Sequence, residues 1–202
     1  MFWRKKRTAS TPQSRVRGAL FGNQSLEHCA VVAQGQGLFE EPWSTYVQAQ
    51  ALIELDQSAD ALRLLEQLAP RPHLATRHYA QIYHHLRAMG SQVDLPLRLL
   101  GVVVETGKGG LGYDMLGAYI DRSAQFYPAQ GGYAHWERPN ASLDESIGIV
   151  ITMGEVLLSK TPLWRGSALP LIEADQLRLT LVASQGLHVL EGNRENLIQS
   201  MI

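Results

Sequence analysis

Two hydrophobic periods divide this chain into a front and a back half. Up to about residue 92, apolar residues recur every three to four positions, which is the spacing of amphipathic helices. From Leu97 onward, short apolar runs alternate with turn residues, which is typical of strands. The pattern predicts a helical region over 23–92 and an α+β domain over 97–202, preceded by a basic flexible tail over 1–22.

About three antiparallel helices are predicted in the helical region. The first spans about 40–55 and begins with two acids and a proline, which suit the positive end of a helix dipole. The second spans about 58–69, with Ser58 as its N-cap. The third spans about 76–89, and Gly90 is placed to cap its C-terminus.

The spacing of these helices resembles a tetratricopeptide (TPR) repeat. Ala49, Leu52 and the segment 58–62 fall where that family has its small and large packing residues. Asp56 and Gly90 occupy equivalent turn positions 34 residues apart, which is the period of that repeat. The resemblance covers one and a half repeats and implies a helical scaffold. A plain helical bundle accounts for the same pattern, and both interpretations stay open.

The back half is predicted to form an antiparallel sheet with the element order ββββαββα. A continuous β-branched run over 99–105 indicates a central strand covered on both faces. Asp121 and Arg122 suit a two-residue hairpin connection. The predicted strands span 99–105, 113–120, 123–127, 133–137, 177–183 and 187–190.

One long helix opens near Asn140 in this half, and a short final helix is predicted over 193–201. Ser142 and Glu145 have the spacing of a capping box. Gly148 and Gly154 are expected to let the long helix approach the sheet closely. Its predicted apolar face consists of Leu143, Ile147, Val150, Ile151, Gly154, Leu157 and Leu158.

Four segments of the back half carry a family pattern: LGVVVE, GYDMLGAYIDRSAQFY, GGYAHWERP and LRLTLVASQGLHVLEG. In this order they resemble a family of uncharacterised bacterial proteins with a Leu-Gly-Val-Val-Val-Glu segment, an Ala-Tyr-x-Asp-Gly-x-Ala-x-Tyr segment, a Trp-Glu and a late Gly-Leu-His. The resemblance covers about residues 99–192, and Arg122 stands where the family has glycine. It implies a bacterial cytoplasmic protein of unknown function and supplies no catalytic residues.

Composition points to an ordinary globular protein. The 202 residues are 45% apolar and 18% charged, and no apolar run approaches the roughly 18 residues that cross a bilayer. The single cysteine, Cys29, cannot form an internal disulfide and shows no zinc-ligand spacing, so a reducing cytoplasm is expected. Cys29 lies in an apolar stretch, which favours a buried thiol over a nucleophile.

Charge is concentrated at the beginning of the chain. Six cations precede the first acid, Glu27, and the rest of the chain has a net charge of −7. A solvated tail is favoured; the alternatives are weak contact with an anionic membrane face, with an acidic partner or with nucleic acid. The acidic body lacks interleaved cations and aromatics, so no nucleic acid is expected. The candidate contact residues are Arg4, Lys5, Lys6 and Arg7.

Candidate chemistry is sparse. His135 and Glu137 alternate onto one face of a strand, and His188 lies on a later strand. If the two hairpins were neighbours, these side chains could form a general acid/base or metal patch together with Glu105 and Glu191. Polar residues on a solvated sheet face explain the same pattern. The glycine-rich segment after the first strand fails as a phosphate loop, so no cofactor is expected. No pair of histidines has the spacing of metal ligands on one helix face, so no metal is expected.

By elimination, a non-enzymatic adaptor of the bacterial cytoplasm is the favoured function, and its partner is another protein or a second copy of the chain. Aromatic side chains are the usual anchors of such interfaces. The candidate anchors are Trp43, Tyr46, Tyr79, Tyr83 and Trp136. The alternative is a small-ligand-binding protein or an enzyme that uses the patch of His135, Glu137 and His188.

Overall fold

The computed structural model describes residues 12–109, 112–137, 140–166 and 168–199. Within these ranges the front half forms five helices rather than three. They are α1 (Pro12–Phe21), α2 (Leu26–Gln36), α3 (Trp43–Glu54), α4 (Ser58–Leu68) and α5 (Thr76–Ala88). The last three correspond to the predicted helices.

Helix α1 lies where the sequence predicts a flexible tail up to residue 22, so the tail prediction is wrong for 12–21. Leu20 and Phe21 are buried in the core. The Tyr119 hydroxyl donates a hydrogen bond to the carbonyl oxygen of Leu20 over 2.8 Å. Gly117 leaves room for this contact, because a Cβ there would lie 2.9 Å from Leu20 Cδ2. Tertiary contacts of this kind stabilise a helix whose own apolar pattern is weak.

The start of α4 differs from the predicted capping, and the start of α5 is capped from another part of the chain. Gln57, not Ser58, is the N-cap of α4, and it makes no side-chain cap hydrogen bond. The α5 N-terminus is capped from outside the helical region, since Asp121 Oδ2 accepts a hydrogen bond from the Thr76 backbone N–H over 2.8 Å. This cap joins the helical region to the sheet.

The back half has the predicted order ββββαββα. Among the described residues its sheet has six strands in the order β4-β3-β2-β1-β5-β6, and all neighbours are antiparallel. The strands and helices are β1 (Leu99–Gly107), β2 (Tyr113–Tyr119), β3 (Ala124–Tyr127), β4 (Ala134–Trp136), α6 (Asp144–Leu158), β5 (Gln176–Ala183), β6 (Gly186–Asn193) and α7 (Arg194–Gln199). The α+β class is therefore confirmed.

The β2–β3 turn contains the four residues 120–123 rather than the predicted two. Arg122 adopts a φ of 68°, in the left-handed region that favours glycine. A glycine would adopt this conformation without strain.

Helix α6 starts without the predicted capping box. Leu143 is its N-cap and makes no side-chain cap hydrogen bond. The Ser142 hydroxyl donates instead to Asn140 Oδ1 over 2.7 Å, which takes it away from the helix. Acidic residues in the first turn still suit the helix dipole.

Helix α6 covers one face of the sheet. A Cβ at Gly154 would lie 2.5 Å from Val102 Cγ2, so glycine permits the close approach that the sequence predicts. At Gly148 the prediction is wrong, because a Cβ there would meet the Arg122 guanidinium rather than the sheet. The buried residues between α6 and the sheet include Val102, Ile147, Ile151, Leu158 and Leu181.

The helical region covers the opposite face of the sheet. One core cluster contains helix residues such as Leu65 and Leu86 together with strand residues such as Val103 and Val182. The helical region and the sheet therefore share a core. Among the described residues, none of the helices has the length and hydropathy that crossing a membrane requires.

Candidate functional site

The predicted acid/base patch does not form. His135 lies on β4 and His188 on β6, which are the opposite edges of the sheet. The later hairpin pairs with β1 and not with β4, so four strands separate the two histidines. Within the predicted patch, the structure brings together His135 and Glu137, with His135 Nδ1 3.9 Å from Glu137 Oε1.

His188 has a structural role. Its side chain is buried, and Nδ1 donates a hydrogen bond to the carbonyl oxygen of Thr161 over 2.7 Å. The Thr161 hydroxyl in turn donates to the carbonyl oxygen of Leu157 over 2.8 Å. These contacts connect the end of α6 to the edge strand β6.

Two of the five predicted aromatic anchors are not accessible to a partner, and the other three are half-buried. Tyr46 and Tyr83 are buried in the core, so the prediction that they form an interaction surface is wrong. Trp43 is half-buried and makes edge-on contacts with Tyr46 and His78. Tyr79 and Trp136 are also half-buried. The predicted basic contact residues Arg4, Lys5, Lys6 and Arg7 lie outside the described residues.

A small cavity lies between α2, α3, α5 and β3. Its volume of about 180 Å³ is below that of ordinary ligand pockets. Burial raises the pKa of the Cys29 thiol to about 12, so the thiol is protonated and unsuited to nucleophilic attack. Burial, with a smaller effect of Arg77, lowers the pKa of His78 to about 4. The Cys29 and His78 side chains in the cavity wall are therefore uncharged at neutral pH, whereas Arg77 in the same wall carries a positive charge.

Beside this cavity, Gln81 connects α5 to the α1–α2 turn. Its Oε1 accepts a hydrogen bond from the Gln24 backbone N–H, and its Nε2 donates to the Gln24 carbonyl oxygen over 2.7 Å. The same Nε2 lies 2.8 Å from His85 Nε2, which must therefore accept. Burial, with a smaller effect of His84, lowers the pKa of His85 to about 3, so the ring is neutral.

A buried ionic cluster lies under α1. It consists of Arg17, Glu105, Arg178 and Glu191. Arg17 Nε is 2.7 Å from Glu105 Oε1, and Arg178 Nη1 is 3.1 Å from Glu105 Oε2. Arg178 Nη2 is 2.7 Å from Glu191 Oε2. The side chains of Glu105 and Arg178 are completely buried.

The cluster also holds the segment before β5 in place. Arg17 donates hydrogen bonds to the carbonyl oxygens of Leu169 and Pro170, and Arg178 donates to that of Pro170 over 2.9 Å. Two acids balance two bases, and their polar atoms point at one another or at backbone carbonyls. The cluster is therefore suited to positioning α1 and this segment, and sequence reasoning missed it. The signal was a glutamate and an arginine inside otherwise apolar strands, which calls for buried partners.

A larger cavity of about 380 Å³ lies beside this cluster. Arg17, His84, Arg87 and Trp164 contribute to its wall. Both guanidinium groups are already engaged, because Arg17 belongs to the ionic cluster and Arg87 Nη1 donates to the Ser184 carbonyl oxygen. An anionic ligand would have to compete with those contacts.

The outward side of α6 exposes a row of aliphatic side chains. Ile149, Met153 and Val156 are 57%, 39% and 56% exposed, although the opposite side of the helix is already buried against the sheet. Their spacing of four and three residues aligns them along one line of the helix. We call these three residues the outer stripe. A surface helix normally has polar residues there, so the outer stripe is the candidate functional site.

The outer stripe has a charge at each end. Glu145 lies in the first turn of α6, and Lys160 follows the last turn; both are exposed. Between them, the Thr152 hydroxyl donates a hydrogen bond to the carbonyl oxygen of Gly148 over 3.0 Å. Thr152 thus satisfies its polar atom within the helix and can be covered by a partner at little cost.

Three wider observations bear on this site. Within the described ranges, no group of three or more His, Cys, Asp or Glu side chains could hold a metal ion. No protein-family model matches the chain, and no curated protein or solved structure matches it. The function is therefore argued from the geometry of its own residues.

Proposed function

We propose that this protein is non-enzymatic and binds a protein partner through the outer stripe of α6. The observation that carries the proposal is the exposure of Ile149, Met153 and Val156 on a helix whose other side is already packed. Covering such a row of aliphatic side chains removes apolar surface from water, which is the main driving force of protein association. Aligned exposed apolar residues of this kind are typical of interaction sites.

The other candidate sites support this choice. The enzyme alternative required His135 and His188 to be neighbours, and they lie on opposite edges of the sheet. The Cys29 thiol is buried and protonated. In the ionic cluster, Arg17 and Arg178 both bind the fully buried Glu105, and these contacts hold α1 on the sheet. The ionic cluster and His188 therefore have structural roles, whereas the described residues show none for the outer stripe.

The proposal includes a location and a role for the remaining regions. The single cysteine and the family resemblance of residues 99–192 favour the bacterial cytoplasm. Helices α3 to α5 act as the scaffold that the helical spacing predicts. Arg4, Lys5, Lys6 and Arg7 add weak attraction to an acidic surface, such as the inner membrane face.

A photo-crosslinking amino acid placed at Met153 of the full-length chain tests the proposal in the host cell. The matched control is the same amino acid at Val31, an aliphatic residue of α2 that is 60% exposed. We expect a discrete protein crosslink from position 153 and none from position 31. The crosslink should disappear when Val156→Asp is added. Equal labelling from both positions, or none from position 153, would contradict the proposal.

A further inference from the structure

We propose that the partner on the outer stripe is a second copy of this chain, with the two α6 helices packed antiparallel about a two-fold axis. The inference rests on the proposed function and specifies its partner. It follows from the order of residues along the stripe, which is complementary to itself when one copy is reversed.

The apolar residues show this self-complementarity first. In a two-fold interface, each residue faces a partner that faces it in return. If the axis passes between Thr152 and Met153, Ile149 lies opposite the partner's Val156, and Val156 lies opposite the partner's Ile149. Thr152 and Met153 then meet across the axis. Every exposed aliphatic residue of the outer stripe therefore contacts its counterpart in the second copy.

The charges at the two ends follow the same register. With the axis at this point, Glu145 lies opposite the partner's Lys160, and this ion pair occurs twice. A parallel arrangement would instead place Glu145 beside the partner's Glu145, which like-charge repulsion disfavours. Charge complementarity thus favours a second copy of the chain as the partner, with its α6 running antiparallel to the first.

Helix geometry places these residues on one side of α6. At about 100° per residue, Glu145, Thr152 and Val156 lie along the same side as Ile149 and Met153, within an arc of about 100°. Ser159 keeps helical backbone angles, with φ −68° and ψ −19°, so Lys160 continues the same line. The buried residues Ile147, Ile151, Gly154 and Leu158 lie on the opposite side.

The size of the stripe indicates a reversible dimer. Three aliphatic side chains and two rim ion pairs bury less than the roughly 800 Å² per partner of a standard stable interface. We therefore expect monomer and dimer to exchange with concentration. The ion pairs make the dimer weaker at high salt.

Sedimentation velocity of the purified full-length chain is the first test. We expect the weight-average mass to rise from monomer to dimer with concentration. Val156→Asp should abolish the rise, and the matched control Val31→Asp should leave it unchanged. A wild-type chain that stays monomeric at several hundred micromolar would overturn the inference.

A charge exchange tests the antiparallel register without disturbing the apolar residues. Glu145→Lys and Lys160→Glu should each weaken the dimer about five-fold or more at low salt, because each converts two attractive contacts into repulsive ones. An equimolar mixture of the two variants should restore dimerisation, because every pair then has opposite signs. Failure of the mixture to recover, with both variants weakened, would overturn the antiparallel arrangement.

Disulfide trapping supplies an independent measurement. Cys29 is the single native cysteine and is buried, so a new surface cysteine reacts alone. Thr152→Cys should form a crosslinked dimer under mild oxidation, whereas Glu195→Cys on α7 should form far less. Equal yields from both positions would indicate random collision and overturn the inference.

The two proposals fail in different ways. If the purified chain is monomeric while the Met153 probe labels a different protein in the cell, the self-pairing inference is wrong and the proposed function stands. If the probe labels nothing and the chain is monomeric, both are wrong. A crosslink to a second copy that Glu145→Lys weakens supports both.

Discussion

The two faces of the sheet are covered by different chemistry. Under α6 the contact is aliphatic, with Gly154 allowing the helix to lie directly on Val102. Under α1 the sheet buries Glu105 and Arg178, which pair with Arg17 and with backbone carbonyls. Aliphatic packing depends on shape and area and tolerates exchange of similar side chains. Buried charges require particular partners, so they fix where α1 and the segment before β5 must lie.

The largest expected effect comes from removing Glu105, the acid that both arginines of the ionic cluster bind. Glu105→Ala leaves Arg17 and Arg178 in the core without their shared carboxylate, and breaking a buried pair of this kind costs about 3–5 kcal/mol. Urea unfolding followed by circular dichroism should show this loss. Glu155→Ala, at an exposed acid of α6, is the control and should change the free energy of unfolding little. A small loss in the free energy of unfolding for Glu105→Ala would mean that the sheet face under α1 does not depend on these ion pairs.

The aliphatic face should respond to added volume. Gly154→Ala places a methyl group 2.5 Å from Val102 Cγ2, and overpacking should lower the free energy of unfolding by about 1–2 kcal/mol despite better helix propensity. Gly148→Ala is the matched control, since its methyl group meets only the flexible end of Arg122. Thermal unfolding of both variants compares them. Equal thermal unfolding midpoints for the two variants would show that the stability of the chain does not depend on the close approach of α6 to the sheet at Gly154.

Loss of the cap between the sheet and α5 should cost less. Asp121→Ala removes the acceptor for the Thr76 N–H, and lost helix caps cost about 1 kcal/mol. Burial alone would raise the pKa of Asp121, but hydrogen bonds from Ser123 and Thr76 outweigh it and lower the pKa. Its contribution should therefore be lost as pH falls through that lowered pKa. Amide exchange in the first turn of α5 measures the effect, with exposed Asp94→Ala as the control.

An effect of similar size is expected as a pH dependence of stability from His85, in the helical region. His85 is neutral in the folded chain, with its pKa lowered to about 3, whereas the unfolded chain binds a proton near pH 6.5. Stability should therefore fall by about 1 kcal/mol for this residue between pH 7.5 and 5.5. His85→Gln should show a shallower slope than wild type in urea unfolding at several pH values. An unchanged slope would contradict a neutral His85 that accepts a hydrogen bond. His78 and His84, whose pKa values burial also lowers, contribute to the slope that remains.

Much of the secondary structure could be predicted from the sequence. Helices α4 and α5 and the order ββββαββα follow from hydrophobic period, and α3 follows from the acids and the proline at its start, because these signals depend only on near neighbours along the chain. Helices α1 and α2 were not predicted. Their apolar patterns are weak, and contacts with distant residues such as Tyr119 and Gln81 hold them in place. Propensity and period carry no information about such contacts.

The sites were less predictable for the same reason. Glu105 was singled out, but its partners Arg17 and Arg178 are 88 and 73 positions away in sequence. His135 and His188 could form one patch only if their hairpins were neighbours, and strand pairing placed them on opposite edges. Residue types indicate what chemistry is available, and strand order decides which groups meet.

Helix α6 shows most directly what each level determines. The sequence alone established a long apolar helix with an acid near its start and a lysine just after its end, because these are local properties of the chain. The hydrophobic period also predicted the buried side, which includes Ile147 and Ile151. Only the tertiary structure decided whether another element covers the opposite side, and it leaves Ile149 and Val156 exposed there. A helix can present one side at a time to a sheet, and the position of the sheet depends on pairings between distant segments.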